Sequence, residues 1–395
     1  MIETKDFAVV CVSRQEWATP LPTNRQQIMS RAAKRGHPIL FVETGGQLGR
    51  HILQIVAAPD RASLARRLLA TEHVAPGIRV RKAVTAAPWA QKYRAANRVN
   101  ARLTAPVLRA LGRKLGAPVV LWLYDPCAFE LVGACGEALA VYDCVDDYAE
   151  QVGSDARRRA FVAEADAEAA RRSDLVFATT EELFERQKKR NAHAFLVPNG
   201  ADYEHFAGVT EGSRARELVS LPGPVVGFAG NLTESKVDFG LLERLADARP
   251  EWSLALIGPA DATARPSLER LAERANVTWL GPKRYADVPR YVAAFDVALI
   301  PYRTNAYTKN CSPLKVYEYL AAGKPVVATG VPALGSLEPD VVLAQSLDGL
   351  LEGVESGLAP ARNGAVARRK ALAARNTWET RTERLLGLVA ERLAG

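Results

Sequence analysis

Ser312-Pro313-Leu314-Lys315-Val316-Tyr317-Glu318-Tyr319-Leu320-Ala321-Ala322-Gly323-Lys324-Pro325-Val326-Val327 joins a turn, a helix and a buried strand in one short stretch. Pro313 suits the first turn of a helix, where its missing N–H is one of the donors that the helix start leaves unpaired anyway. The amides that follow have no partner within the helix. Together with the positive end of the helix dipole they make a seat for a pyrophosphate. Lys315 adds a compact positive charge there. Glu318 lies about one turn further on, so it reaches the same place and can accept hydrogen bonds from a ribose diol. Gly323-Lys324-Pro325 stops the helix and returns the chain to Val326-Val327.

The same alternation extends outward in both directions. Apolar runs at 225–229, 254–257, 277–280, 297–300, 326–328 and 341–343 are separated by helical segments at 241–248, 268–275, 288–295 and 314–321. A second series precedes it, with apolar runs at 7–12, 39–42, 119–123, 140–142, 175–178 and 195–197, and helical segments at 25–34, 93–115, 156–172 and 181–190. Strands that are apolar throughout and separated by helices predict parallel sheets covered on both faces. Two such series predict an α/β chain of two doubly wound, Rossmann-like domains facing a cleft, with ligands beyond the carboxyl ends of the strands. Pro and Gly cluster from Pro198 to Pro224, which puts the boundary near 205/206. The expected division is 1–205, 206–375 and a last helix over 376–395 that crosses back to the N-terminal domain, using Leu385, Leu386, Leu388, Val389 and Leu393.

At 395 residues the chain exceeds one ordinary core, and its composition is that of a globular protein. Cys11, Cys127, Cys135, Cys144 and Cys311 form no C-x-x-C pair and leave an odd one over, which suits buried thiols in a reducing compartment. Neither a leader nor a membrane-spanning run is expected, so the reading is cytoplasmic, with surface contact to a membrane as an option. The net charge of +8 is uneven: from Arg79 to Lys114 no acidic residue interrupts the basic ones. Arg94, Arg98 and Arg102 recur on one helix face, which reads either as a solvated surface or as a patch for anionic lipid at the inner face of the cell membrane. No recognition motif accompanies the charge, so nucleic acid is disfavoured.

With these residues in place the sequence resembles the nucleotide-sugar glycosyltransferases of family 4 and neighbouring GT-B families. The resemblance puts Glu318 at the second glutamate of the E-x7-E signature, which holds the donor ribose, and Asn310 where the first glutamate stands. Ser312, Pro313, Leu314 and Lys315 then form the pyrophosphate seat, with Arg303 as a further cation. Gly227-Phe228-Ala229-Gly230-Asn231 matches the glycine loop at the pyrophosphate, and Leu256-Ile257-Gly258-Pro259 the next step. Val277-Thr278-Trp279-Leu280-Gly281 matches the segment whose backbone edges the nucleobase, Val197-Pro198-Asn199-Gly200 the interdomain signature and Trp378 the final helix. The implied donor is a UDP-sugar used as substrate, with no cofactor. No metal-ligand cluster is evident, and the helix start and cations would offset the leaving-group charge.

On the acceptor side Val141-Tyr142-Asp143-Cys144-Val145-Asp146-Asp147-Tyr148 leaves a strand with three carboxylates. Such a group is either the base of an inverting transfer or a loop and helix cap. The segment is similar to that of the xanthan-type glucuronosyltransferases, which implies Asp146 as the base. Trp17, Arg25 and Gln26 follow the first strand, with Asn24 expected as N-cap. They either contact the acceptor or a donor phosphate, or simply cap the helix. Gly45-Gly46-Gln47-Leu48-Gly49-Arg50 reads as a loop, not a dinucleotide fingerprint. The function expected is sugar transfer to the hydroxyl of a glycan, a lipid-linked precursor or a small-molecule glycoside. A GT-B sugar-nucleotide epimerase is the alternative, and a basic scaffold the remotest.

Overall fold

The computed structural model describes residues 7–19, 21–45, 70–83, 86–361 and 364–395. The chain falls into two compact units: residues 1–19, 23–197 and 381–395 form unit 1, and residues 20–22 with 198–380 form unit 2. Unit 2 thus starts earlier than the expected boundary at 205/206.

Unit 1 is built on strands β1 (Ala8–Ser13), β2 (Ile39–Glu43), β3 (Thr71–Ala75), β4 (Ile78–Lys82), β5 (Val119–Leu123), β6 (Leu139–Cys144), β7 (Leu175–Ala178) and β8 (Ala194–Leu196). They make one sheet in the order β3-β4-β2-β1-β5-β6-β7-β8, parallel except where β3 runs against β4. The sequence reading did not foresee this hairpin, and the cause is its edge position. Only Ile78 and Val80 of the hairpin are buried, while Glu72, His73 and Arg79 face solvent, so no apolar run marks it. The basic stretch therefore begins on a strand. Helices α1 (Asn24–Lys34), α2 (Arg94–Arg113), α3 (Ala156–Arg172) and α4 (Glu181–Lys188) complete the unit. Chain order reverses between β1 and β5, which marks the loops after those strands as the place for ligands.

Unit 2 holds a fully parallel sheet of β9 (Val225–Ala229), β10 (Ser253–Ile257), β11 (Val277–Trp279), β12 (Val297–Pro301), β13 (Val326–Thr329) and β14 (Val341–Leu343), in the order β11-β10-β9-β12-β13-β14. Its switch point lies between β9 and β12. Every residue of β9, β10, β12 and β13 is buried, as a sheet covered on both faces requires. Helices α5 (Phe239–Ala248) and α6 (Lys315–Ala321) give buried apolar side chains to the core of the unit, α7 (Ala365–Arg375) packs against α6, and α8 (Trp378–Ala394) contributes its start to unit 2 and its remainder, from Arg381, to unit 1. Trp378, Leu385, Leu386 and Val389 are buried. Arg381 and Asp143, both buried within unit 1, form an ion pair at 3.3 Å, and Arg381 also donates to the Val197 carbonyl.

Candidate active site

In unit 2, Gly230 leaves β9 and Gly258 leaves the neighbouring β10. A side chain at Gly258, whose φ is +135°, would put its Cβ 1.9 Å from the Gly230 carbonyl oxygen, so these two backbones touch only because Gly258 lacks one. The Gly230 amide donates to Ile257 O (2.8 Å), that of Gly258 to Gly281 O (2.9 Å) and that of Leu280 to Leu256 O (2.9 Å). A Cβ at Gly230 would strike Lys315 at Cε (2.7 Å) and Nζ (2.9 Å), so the ammonium lies against this glycine. Tyr302 Oη accepts from Lys315 Nζ at 2.9 Å, and the charge also stands over the rings of Phe228 (5.1 Å) and Tyr302 (5.3 Å). No carboxylate of the described residues forms an ion pair with Lys315. Its charge is held by aromatic faces and left available.

Helix α6 begins at Lys315, with Pro313 and Leu314 ahead of it. The first backbone donor used is Val316, to Pro313 O, and among the described residues the amides of Leu314 and Lys315 have no acceptor. Asn199 Nδ2 donates to Ser312 O (3.0 Å) and fixes the turn that presents them. Glu318 is half-buried. Burial pushes its carboxyl up to about 7, with Lys315 opposing and Asp202 adding to the rise. No hydrogen bond from the described residues reaches that carboxylate. Gly230, Gly258, Lys315 and Glu318 thus converge on the switch point of the sheet.

The other donor-side positions are less concentrated. Asn231 is exposed. Asn310 caps the short helix Ala306–Lys309, with Nδ2 on Ala306 O at 3.4 Å. Arg303 donates to Glu234 (2.6 Å) and to Val237 O (3.1 Å), so its charge is already countered. Lys236, absent from the sequence reading, lies in the loop leaving β9 with Nζ 5.0 Å from the Tyr307 ring centre.

Unit 1 sorts its three neighbouring carboxylates. Asp143 is sealed with Arg381, and Asp147 accepts from Arg186 at 2.7 Å. Asp146 is half-buried, and its carboxylate accepts no hydrogen bond from the described residues. Arg25, in the first turn of α1, donates to Tyr148 Oη (3.0 Å) and Gln15 Oε1 (3.1 Å) and lies 5.2 Å from the Tyr124 ring centre. Burial works against its charge, but Tyr148 and Asp146 outweigh that and raise its pKa. Arg25 and Asp146 therefore share one electrostatic neighbourhood. Gln26 is instead committed to the loop: its Oε1 accepts from the Thr23 amide (3.1 Å), and its Nε2 donates to Glu16 O (2.9 Å). The N-cap is accordingly Thr23, not Asn24, which is buried as the first helical residue. Trp17 stacks edge-on against Phe41 at 5.2 Å, with its amide on Glu43 (2.8 Å). The remainder of the loop that starts at Gly45 lies outside the described residues.

The expected arginine stripe on α2 is largely answered from within the unit. Arg94 pairs with Glu130 (3.3 Å), Glu164 (2.9 Å) and Glu168 (3.5 Å), and Arg98 with Glu130 (3.4 Å). Among the described residues no group of three or more His, Cys, Asp or Glu is disposed to hold a metal ion, and no helix is long and apolar enough to cross a membrane.

Solved structures share this architecture over nearly the whole chain. Sucrose-phosphate synthase from Thermosynechococcus elongatus superposes with a TM-score of 0.73 at 18% identity, covering 98% of this chain and 99% of that one. Anabaena HepE, solved with UDP and glucose, gives 0.68 at 16% identity, covering 97% and 99%. The fold is of the GT-B type, as in these two structures. Residues 223–357, the core of unit 2, match the family model described as "Glycosyl transferases group 1". A protein of Bacillus subtilis (strain 168) named as the teichuronic acid biosynthesis glycosyltransferase TuaH is 29% identical over 211 residues, 51% of this chain and 53% of that one. A GDP-mannose-dependent monoacylated alpha-(1-6)-phosphatidylinositol monomannoside mannosyltransferase of Corynebacterium glutamicum is 27% identical over 212 residues, 49% and 55%. The matches span about half the length of these curated relatives. Both relatives are named as transferases, and nothing among the comparisons favours the epimerase alternative.

Proposed function

We propose that the protein transfers a sugar from a nucleoside-diphosphate sugar, UDP-linked, to a hydroxyl of a glycan or lipid-linked acceptor in the building of a surface polysaccharide. The observation that carries this reading is the convergence of Gly230, Gly258, Lys315 and Glu318. Close backbone approach admits a pyrophosphate, and an ammonium without a carboxylate partner, beside two free amides, meets its charge. A carboxylate lacking a donor one turn away suits a ribose diol. Anabaena HepE has been solved with UDP, UDP with glucose, and UDP-glucose, which supports UDP as the first nucleotide to test. TuaH and the mannosyltransferase, by their names, support a surface glycan or lipid-linked acceptor.

In this mechanism Asp146 takes the proton of the acceptor hydroxyl as oxygen attacks the anomeric carbon, and the bond to the UDP oxygen breaks. The displacement inverts configuration. Arg25 keeps the Asp146 region electropositive, and Lys315 with the Leu314 and Lys315 amides receives the charge of departing UDP. The chain works in the cytoplasm, without cofactor or metal, and touches the inner face of the membrane. Support for that contact comes from exposed Trp89, Tyr93, Val99 and Leu103 beside Arg98 and Arg102, an apolar and basic set suited to an anionic interface. Release of UDP from UDP-sugars, measured with and without saccharide acceptors, tests the assignment. If no nucleoside-diphosphate sugar binds, it fails.

A further inference from the structure

Unit 1 contains a cavity that the proposed chemistry does not use. It opens to solvent beside the carboxyl ends of β2 and β5 and encloses about 80 Å³. At roughly 10–15 Å³ per water on this measure, that is room for half a dozen waters or for one partly inserted sugar ring. Thr44, Gln91, Asn97, Thr104 and Asp125 supply polar wall, while alanines such as Ala83 and Ala101 leave the space.

Asn97 decides what the space prefers. It is 6% exposed, and its Nδ2 donates to Cys127 O (2.7 Å) and Ala90 O (3.3 Å). Two carbonyl acceptors require the amide nitrogen on that side, so the side-chain orientation is fixed by chemistry. Oδ1 is then left buried with no hydrogen-bond partner. Asp125, 5% exposed, accepts from the Thr44 hydroxyl at Oδ2 (2.8 Å) and from the Cys127 amide at Oδ1 (3.0 Å). Each carboxylate oxygen retains capacity for another donor. Among the described residues no lysine or arginine lines the cavity. Acceptors without a cation call for an occupant that donates hydrogen bonds and carries no negative charge. Small apolar side chains between them suit C–H surface.

We propose that this cavity is a subsite for a neutral, polyhydroxylated sugar ring of the acceptor, with Asn97 Oδ1 and Asp125 receiving its hydroxyls. The assignment to an acceptor rests on the glycosyltransferase reading; the preference for a neutral ring rests on the cavity itself. Uronate or phosphate groups are excluded from the pocket by the Asp125 charge, whatever the rest of the acceptor carries.

The test is saturation-transfer NMR on the full chain with methyl glucoside, galactoside, mannoside and N-acetylglucosaminide as probes, and methyl glucuronoside as the charged control. At least one neutral glycoside is expected to show transfer, and the glucuronoside about fivefold less, because a second carboxylate beside Asp125 is repelled and desolvated. Ala101→Phe fills the cavity from α2 and leaves the Asn97 and Asp125 side chains themselves unchanged. It should remove most of the signal, by about fivefold or more, while the variant still folds and keeps its UDP affinity. Gln91→Ala, at a half-buried position, gives a second variant that should weaken the signal without a risk to folding. Silence from all four neutral probes, an undiminished signal in folded Ala101→Phe, or equal transfer to the glucuronoside overturns the proposal. If wild-type protein ignores UDP but the Ala101-dependent glycoside signal persists, the cavity stands and the glycosyltransferase reading falls.

Discussion

Asp143 in unit 1 and Glu318 in unit 2 are both carboxyls raised by burial, yet the fold completes only one of them. Asp143 is wholly enclosed and meets Arg381 at 3.3 Å, a partner brought by the last helix. Glu318 is half-buried, has Lys315 only as a more distant charge, and receives no hydrogen bond from the described residues. A buried carboxylate closed by an arginine is part of the architecture. One left open beside an available ammonium and two free amides is a place built for something else to complete. Asp146 stands to Asp143 in unit 1 as an open group to a closed one, only three positions along the chain.

The largest effect should come from the open carboxylate of unit 1. Asp146→Asn keeps the shape and removes the ability to take a proton, so turnover should fall by roughly 10²–10⁴-fold. UDP affinity and melting temperature should stay unchanged, and proton NMR should show inversion in the wild-type product. A retained product, or a variant of near-normal rate, removes Asp146 from the mechanism and the contrast with Asp143 along with it.

Next in size is the closed pair. Arg381→Met strands the Asp143 charge and should destabilise the protein by about 3–5 kcal/mol, read from denaturant unfolding. Adding Asp143→Leu to it should recover most of that loss, since replacing a buried pair by apolar groups is often neutral. If the single variant unfolds at the wild-type denaturant concentration, the pair is not structural.

In unit 2, Glu318→Ala should weaken binding of both uridine and UDP by about 1.5–3 kcal/mol, the scale of hydrogen bonds to a charged group. Lys315→Ala should spare uridine and weaken UDP alone. Calorimetry separates the two patterns. Equal losses for uridine and UDP in the lysine variant would place Lys315 away from the phosphates.

The smallest effect is a titration. With its carboxyl near 7, Glu318 is mostly protonated at pH 6 and mostly ionised at pH 8. Ribose hydroxyls donate to the ionised form, so uridine affinity should rise up to about tenfold over that interval and be flat in Glu318→Gln. The sign for folding is opposite. A carboxyl raised from 4.5 to about 7 keeps its proton in the folded chain after the unfolded chain has lost it, so this group's contribution to stability falls as pH rises across that window. A wild-type uridine profile that matches the glutamine variant would mean that Glu318 does not meet the ribose.

Much of unit 2 was legible because its signals are local. The strand at 225–229, the glycines that follow strands and the helix start at 313–318 all lie within a few residues of the groups they serve. The hairpin of β3 and β4 was not legible, because an edge strand buries too little to show an apolar run. Arg303, expected as a further cation at the pyrophosphate, pairs with Glu234, far back along the chain. Of the two roles open to Gln26, ligand contact or capping, its amide takes the second, used twice within the loop that precedes it.

By itself the sequence determined that there are two strand–helix series, that glycines stand where backbone must approach backbone, and that Lys315 and Glu318 lie a turn apart at a helix start. These follow from period, spacing and residue type, which act over one or two turns of chain. Only the tertiary structure decided which charges are spent. Three carboxylates crowd residues 143–147, and nothing in that segment says that Arg381 closes the first, Arg186 the third, and that the second is left open. The basic run after Arg79 likewise looked uncompensated until Glu130, Glu164 and Glu168 met Arg94. Charge compensation acts through space, and its partners here are separated along the chain by distances that no local pattern records.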